Sequence, residues 1–426
     1  MLKSFHALQL HWQIMIALVL AVFAGLLSGD DAALFGVTFY SVYEFFGSLF
    51  LNALKMLIVP LIVSSIIVGI MGIGSGNNLS RLGGKTLVYY ASTSFLAIMT
   101  GLILVNITMP GISDGQPIKD IIGLSDVPQV ITDNVEGKGA EDIVGVFLRM
   151  VPPNIVSAAA QGQMLGLIFF SLLFGFFITK LAPAKAELMQ NLWQSVLDVM
   201  MHMTNWVMKF APYGVFALVA KVVSVSGVDI FIPLAVFFFT VIVALLFHFI
   251  ATMSLILHFV AKVNPLRHYK AMSSALLTAF STSSSSATLP LTMECVEQKV
   301  GVSNRVTSFT LPLGATVNMD GTALYECVAA MFIAQAYGLD LTITTQFTIV
   351  LVALVTSIGV AGIPSASLVA ISIILGTIGL PLEGVGLILA VDRVLDMCRT
   401  AVNVFSDSVA AVVIAKLEGE QGILKS

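Results

Sequence analysis

The sequence predicts an all-α polytopic membrane protein of eight transmembrane helices plus two re-entrant helical hairpins. Of its 426 residues, 58% are hydrophobic and only 10% are charged, where a soluble protein carries roughly 25% charge. The apolar residues fall into runs long enough to supply the ~20 residues of a membrane crossing. Two of those runs are broken at their centres by serine-rich or Gly/Pro-rich segments, which a lipid-facing helix does not tolerate. The same numbers exclude a soluble enzyme, a disordered chain and a nucleic-acid binder with its basic stripe. The net charge of -4 says nothing of partners, because in a membrane protein the distribution of charge matters more than its sum.

Lys3, His6 and His11 precede an apolar stretch from Ile14 to Leu27, and no small-residue cleavage site stands before Asp30 and Asp31. The first helix, near 12–29, therefore reads as an uncleaved span and not a signal peptide. Further helices follow near 38–73, 85–110, 143–181, 189–223, 230–262, 304–338 and 384–416. Several exceed an upright span, so tilt or extension beyond the hydrocarbon is expected. Arg81 with Lys85, Lys180 with Lys185, and Lys262 with Arg267 and Lys270 mark every second connection. Between them lie Asp30 and Asp31, Asp229, and the 111–142 loop, whose Asp114, Asp120, Asp126, Asp133, Glu136, Glu141 and Asp142 outweigh Lys119 and Lys138 to give -5. Basic connections belong in the cytoplasm, so both termini lie inside and the 111–142 loop is extracellular. The short loops and uncleaved start suit a multi-pass protein of the plasma (inner) membrane, in contact with lipid.

The stretches near 271–298 and 341–380 are the two hairpins. The first holds Ser281-Thr-Ser-Ser-Ser-Ser286 and Pro290, and the second Gly359-Val-Ala-Gly-Ile-Pro364-Ser-Ala-Ser367. Lys270 and Lys299 flank the first, which opens from the cytoplasm; Asp340 and Glu383 flank the second, which opens from outside. Two interrupted segments of opposite entry side are what inverted repeats around a midplane site produce. The competing reading is two ordinary helices with kinks, which makes ten spans.

Ionisable residues inside a membrane are costly and usually functional. In the last helix Asp392, Asp396, Arg399, Asn403 and Asp407 recur at i, i+4, i+7, i+11 and i+15, one stripe about 80° wide at 100° per residue. Interhelical pairing alone would explain some of them, yet three carboxylates against one guanidinium leave negative charge that a bound cation can neutralise. Gly314-Ala-Thr-Val-Asn318-Met-Asp320-Gly-Thr322 interrupts another span with poor helix formers, so the helix unwinds there and turns carbonyls inward. Carboxylate, amide and carbonyl oxygens suit a hard cation such as Na⁺. Cys295, Cys327 and Cys398 have no metal-ligand spacing and imply no disulfide framework. The histidines are scattered, and Gly84-Lys85-Thr86 lacks the upstream glycine of a phosphate loop because position 79 is Leu.

Asn318-Met-Asp-Gly-Thr322, Ser283–Ser286 with Thr288-Leu-Pro290, Gly362-Ile-Pro364 and Asp396-Met-Cys-Arg-Thr-Ala-Val-Asn403 resemble the dicarboxylate/amino acid:cation symporter family of glutamate and neutral amino acid transporters. The likeness runs through most of the chain and is densest from about 270 to 418. It implies a homotrimer in which each protomer carries a transport domain past a fixed scaffold like an elevator; an archaeal member of this family is a standard example of inverted-repeat architecture. The scaffold would be 1–80 and 143–225. The transport domain would be 81–110, 228–264 and 265–418, including both hairpins, the outer one serving as the extracellular gate.

Residue by residue, the resemblance makes Arg399 the partner of a substrate side-chain carboxylate, Asp396 that of the amino group and Asn403 that of the α-carboxylate. Ser284, Ser285, Met319, Thr322, Ile363 and Thr400 complete the substrate lining. One sodium site is similar to the Gly314 and Asn403 carbonyls with Asn318 and Asp407. Another looks like Asp320 and Asn318 with Tyr90, Thr93 and Ser94, and a third would use carbonyls of Thr316, Ser357, Ile358 and Val360. Read alone, Tyr90, Thr93 and Ser94 are ordinary small-residue helix packing and Ser283–Ser286 a polar kink. Glu326 stands where vertebrate glutamate transporters of the family carry a glutamate linked to proton coupling, so it is a candidate proton site; alternatively it is a buried carboxyl with no transport role.

Some positions depart from the family pattern. Acidic-substrate members often place a second arginine where this chain has Ser283 or Met397, whereas here Arg393 lies one turn away. Ser367 and Ser406 replace common glycines. The expected function is Na⁺-coupled symport of L-aspartate or L-glutamate, with H⁺ as a candidate second coupling ion, and with no enzymatic activity, no cofactor and no nucleic-acid partner. A neutral amino acid or cystine carrier is the nearer rival. A C4-dicarboxylate carrier would leave Asp396 without an amine. An ion channel would show currents without substrate saturation, and an intramembrane aspartyl hydrolase would need a closer carboxylate pair than Asp392 and Asp396 beside Arg399.

Overall fold

Helix α2, Phe39–Met71, runs 33 residues, about 50 Å at 1.5 Å per residue, so it must tilt to stay within a bilayer or project from it. The computed structural model describes residues 10–71, 77–113, 115–119, 148, 150–161, 164–227, 230–357, 367–380 and 384–424. Among the described residues, four helices are long and apolar enough to cross a membrane: Phe39–Met71, Leu82–Thr108, Phe231–Val260 and Val385–Leu417. Pro183–Met208 and Ala211–Val225 make a fifth if counted as one span bent by 53°.

In chain order the elements are α1 (Leu10–Ser28), a two-strand ribbon β1–β2 (Ala33–Leu34, Val37–Thr38), α2, α3 (Asn77–Thr108) and a second ribbon β3–β4 (Ile112–Ser113, Gln116–Pro117). Then come α4 (Ile155–Ala160), α5 (Met164–Ile178), α6 (Pro183–Met208), α7 (Ala211–Ser226) and α8 (Phe231–Leu246), which continues through π-helical turns to Val260. The rest are α9 (Pro265–Thr282), α10 (Ser285–Glu294), α11 (Asn304–Val317), α12 (Asp320–Ala336), α13 (Ile343–Ser357), α14 (Ser367–Ile378) and α15 (Val385–Leu417).

Three of the expected spans are interrupted. The stretch near 143–181 yields α4 and α5, with Pro152-Pro153 ahead of α4 and Asn154 Oδ1 capping it by accepting from Val156 N at 2.9 Å and Ser157 N at 3.0 Å. The stretch near 189–223 bends between α6 and α7, where Pro212 occupies the first turn of α7. The stretch near 304–338 breaks at Asn318 and Met319.

The two stretches expected to be hairpins each give a pair of packed helices. Asn264 caps α9, which ends in a left-handed Ser283 (φ 52°). Ser284 then caps α10 by accepting from Ala287 N at 3.2 Å. Between α13 and α14 the connection 358–366 lies outside the described residues, and with it Ile358, Val360 and Ile363.

Packing divides the helices into two sets. Helices α1, α2, α5, α6 and α7 pack mainly on one another, and α3 packs with α8 to α15. In the first set Gly25 lets α1 approach α7, where a Cβ would sit 2.8 Å from the Ala220 carbonyl. In the second set α12 is central, every residue but Gln335 being buried. The largest contact between the sets is α7 against α15, with smaller ones of α1 on α15, α2 on α11 and α14, and α5 on α13 and α14. Phe23, Phe45, Val88, Phe239, Ile250 and Leu277 face outward, so apolar side chains cover the outside as well as the core, as lipid requires.

The chain beyond α15 folds back as a strap. Lys85 Nζ meets Glu418 Oε1 at 2.6 Å, Ser303 N donates to Glu420 Oε2 at 3.0 Å, and Leu424 N donates to the Val300 carbonyl at 2.9 Å. Arg267 Nη1 reaches the Leu424 carbonyl at 3.2 Å, while Ile423 is buried against α9 to α11. Burying an isoleucine contributes about 2 kcal/mol. Truncation after Leu417, or Ile423→Asp, should therefore lower the apparent melting temperature of the detergent-solubilised protein by a few degrees; an unchanged melting curve would show the strap to be dispensable.

Candidate functional site

The site is built around the break between α11 and α12. Asn318 (φ -102°, ψ 84°) and Met319 (φ -115°, ψ 60°) leave the helical region, so the amides at the start of α12 lose their intrahelical partners. Helix α15 supplies one. Asn403 Oδ1 accepts from Gly321 N at 2.8 Å and Thr322 N at 3.3 Å, and Asn403 Nδ2 donates to Thr322 Oγ1 at 3.0 Å. Asn403 is thus a cap provided by a neighbouring helix, and the second hydrogen of its Nδ2 is left for another acceptor.

Two carboxylates flank the break. Asp320, fully buried, accepts from Ser94 Oγ at Oδ1 (2.6 Å) and from Ser406 Oγ at Oδ2 (2.7 Å), with His248 Nε2 3.2 Å from Oδ2. Asp407 Oδ1 accepts from Asn318 Nδ2 at 2.9 Å. Tyr90 donates its hydroxyl to the Thr310 carbonyl at 2.7 Å, and Thr93 Oγ1 lies 3.5 Å from Asn318 Oδ1. Gly314 makes this closeness possible, because a Cβ there would overlap Asp407 Oδ1 and sit 2.8 Å from Tyr90 Oη.

The structure therefore brings together Tyr90, Thr93, Ser94, Gly314, Asn318, Asp320, Asn403 and Asp407. Thr316 and Ser357 each donate to a carbonyl of their own helix, Leu313 at 3.0 Å and Leu354 at 2.9 Å. The donors at the break are carboxylate, amide, hydroxyl and carbonyl oxygens, which match a hard monovalent cation. No group of three or more His, Cys, Asp or Glu side chains able to hold a metal ion occurs among the described residues.

One to four turns toward the start of α15 lies a second cluster. Arg399, 1% exposed, donates from Nη2 to Asp396 Oδ1 at 2.8 Å and to Asp392 Oδ1 at 3.1 Å, and its Cζ stands 3.8 Å from the Tyr325 ring centroid. Among the described residues, its Nε and Nη1 have no hydrogen-bond partner. Arg393 Nη1 holds the other oxygen of Asp396 at 3.3 Å. Two acids and two bases cancel here, so the stripe's uncompensated charge sits at Asp407 and, across the break, at Asp320. Thr400 donates to the Asp396 carbonyl at 2.8 Å. Helix α10, beginning at the buried Ser285, packs on α15, and Met319 is buried at the break. Glu326 is fully buried on α12, one oxygen accepting from Thr356 Oγ1 at 3.0 Å and the other unpartnered.

Sequence reasoning missed three participants. His248 sits in a π-helical turn of α8, and π-turns often mark functional positions; its one sequence signal was an ionisable ring inside an apolar run. Ser406 stood out only as a departure from a family pattern, and Tyr325 reads as an ordinary core aromatic.

Comparison with known proteins bears on what such a constellation serves. The profile of the sodium:dicarboxylate symporter family matches residues 10–417. The chain is 38% identical over 412 residues to the proton/sodium-glutamate symport protein of Geobacillus stearothermophilus, covering 96% of this chain and 95% of that one. It is 37% identical over 409 residues to the proton/glutamate-aspartate symporter of Escherichia coli (strain K12), covering 96% and 93%. It is 35% identical over 449 residues to excitatory amino acid transporter 3 of Homo sapiens, covering 95% and 84%. The site described above thus belongs to a member of the sodium:dicarboxylate symporter family.

Proposed function

We propose that the chain is a secondary active transporter that couples entry of an acidic amino acid, L-aspartate or L-glutamate, to Na⁺. Membership of a symporter family makes it a transporter and not an enzyme, and similar proteins are named for glutamate and aspartate. The observation that carries the substrate assignment is Arg399, whose Nε and Nη1 are buried and unpartnered beside Asp396. Buried, charged N–H donors left open in this way fit a carboxylate through charge-assisted hydrogen bonds. Asp396 then takes the ammonium group, and the remaining hydrogen of Asn403 Nδ2 takes the α-carboxylate.

Na⁺ would neutralise Asp407 and Asp320. Asn403 is the physical link between ions and substrate, because it caps the same α12 amides that the break exposes. Ordering the break around cations orders Asn403, and Asn403 faces the substrate. In this reading α9–α10 and α13–α14 are re-entrant hairpins of opposite entry, α3 with α8 to α15 form the moving domain, and α1, α2 and α4 to α7 form the scaffold. The eight-span protomers assemble as a homotrimer in the plasma (inner) membrane, with both termini cytoplasmic. Glu326 is the proposed proton site.

Proteoliposomes should accumulate labelled aspartate only under an inward Na⁺ gradient; uptake indifferent to Na⁺ would end the reading. Excess succinate should compete more weakly than glutamate, since Asp396 favours an amine. Arg399→Lys replaces a fork by a point charge, and losing a charge-assisted hydrogen bond of about 1.5–3 kcal/mol should weaken aspartate uptake about ten- to a hundredfold at limiting substrate. Gly314→Ala forces Asp407 away from Tyr90, so the stabilisation of the purified protein by Na⁺ against heat should largely disappear; full retention would place the cations elsewhere. Glu326→Gln should preserve Na⁺-driven uptake while removing any stimulation by an inward pH gradient.

A further inference from the structure

The Ser406 hydroxyl occupies a position that the two-carboxylate arrangement does not by itself require. It is fully buried on α15, immediately before Asp407, at a place where the family pattern commonly has glycine. Its oxygen accepts from Asn318 Nδ2 at 3.0 Å and its hydrogen goes to Asp320 Oδ2 at 2.7 Å. The other hydrogen of the same Nδ2 goes to Asp407 Oδ1 at 2.9 Å. The three hydrogen bonds form one continuous path from Asp407 through Asn318 and Ser406 to Asp320.

Two consequences follow from the donor and acceptor inventory. A hydroxyl has a single hydrogen, and with that hydrogen spent on Asp320 the Ser406 oxygen can only accept. It therefore holds the Asn318 amide with nitrogen toward α15 and oxygen toward Thr93, the side on which Tyr90, Thr93 and Ser94 stand. A carboxylate offers about four lone-pair positions, two on each oxygen. On Asp320 Oδ2, Ser406 and His248 fill both, while Oδ1 receives Ser94 alone. The open acceptor position of Asp320 is thus on Oδ1.

We propose that Ser406 is a positioning residue for the coupling cations: it orients the oxygens of Asn318 and Asp320 so that Na⁺ meets them already placed. The proposal rests on reading the α11–α12 break as the cation site. Glycine or alanine at 406 leaves Asn318 held by Asp407 and Thr93 alone and Asp320 by Ser94 and His248 alone, so each ion must do more of the ordering as it binds.

The test is Na⁺ titration of the full-length purified protein, read as thermal stabilisation, together with the Na⁺ dependence of aspartate uptake in proteoliposomes. Ser406→Gly and Ser406→Ala should raise the half-maximal Na⁺ concentration about three- to tenfold, the size of one net hydrogen bond. Some loss of melting temperature without Na⁺ is expected from the missing buried hydrogen bonds, so the rise in the Na⁺ midpoint, recoverable at saturating Na⁺, is the readout that a merely structural role would not move. Ser406→Thr, which keeps the hydroxyl, should restore the midpoint to within about twofold of the parent. An unchanged or lower midpoint in the glycine and alanine variants overturns the proposal, as does a fall in baseline stability and maximal rate with the midpoint unmoved. If the parent protein itself shows no response to Na⁺, it is the cation-site reading that fails, and the two failures are distinguished by that first titration.

Discussion

A helix broken inside an apolar interior must find partners for the backbone groups it frees, and in this protein that requirement organises everything around Asn318 and Met319. Each unsatisfied amide in such surroundings costs several kcal/mol. The amides of Gly321 and Thr322 are met by the Asn403 side chain, which fixes α15 against α12. Asn318 donates to Asp407, and Ser406 donates to Asp320, which brings the two carboxylates to the same break. A carboxyl held so deep must be either protonated or balanced by positive charge, and in the proposed reading Na⁺ supplies that balance.

Along α15 the charges divide into two zones with different electrostatic tasks. Asp392, Arg393, Asp396 and Arg399 neutralise one another, so this zone is internally balanced and can open toward a ligand that itself carries both signs. Asp407 and Asp320 are hydrogen-bonded but, among the described residues, have only His248 as a basic contact, so this zone asks for monovalent positive charge. A zwitterionic acidic amino acid and Na⁺ are complementary to the two zones in turn. Asn403 lies between them on the same helical face, which is why a single side chain can register the state of both.

Much of this was legible in the sequence because it depends on periodicity and on breaks. The stripe on α15 follows from residue spacing, and the interruptions at 281–286 and 314–322 follow from residue types that do not hold a helix. Both stretches indeed separate helices: α9 from α10 at Ser283 and Ser284, and α11 from α12 at Asn318 and Met319. Spacing says which face a residue occupies and not what stands opposite. The closure of Asp320 by His248 of α8 and Ser406 of α15 joins positions distant in the chain, and no local pattern pairs them. Arg393 illustrates the same limit. It lies outside the stripe's regular spacing, yet it reaches Asp396 at 3.3 Å, so the negative charge expected of the whole stripe is left at Asp407.

The same geometry explains why glycine is needed at 314 and why the oxygens of the proposed cation site depend on one another's placement. A helix carbonyl can be offered to an ion only if nothing covers it, and Asp407 and Tyr90 approach the Gly314 Cα closely enough that any Cβ would displace them. Tyr90 is in turn tethered to the Thr310 carbonyl one turn earlier on α11, so α3, α11 and α15 converge on one glycine. A displacement of any of the three helices moves oxygens belonging to both carboxylate environments at once. In the proposed reading, cation binding would set the relative positions of α3, α11, α12 and α15, and none of the side chains described at the break comes from the first set. A division of labour between a part that is ordered by ions and a part that is not is the physical precondition for moving one against the other.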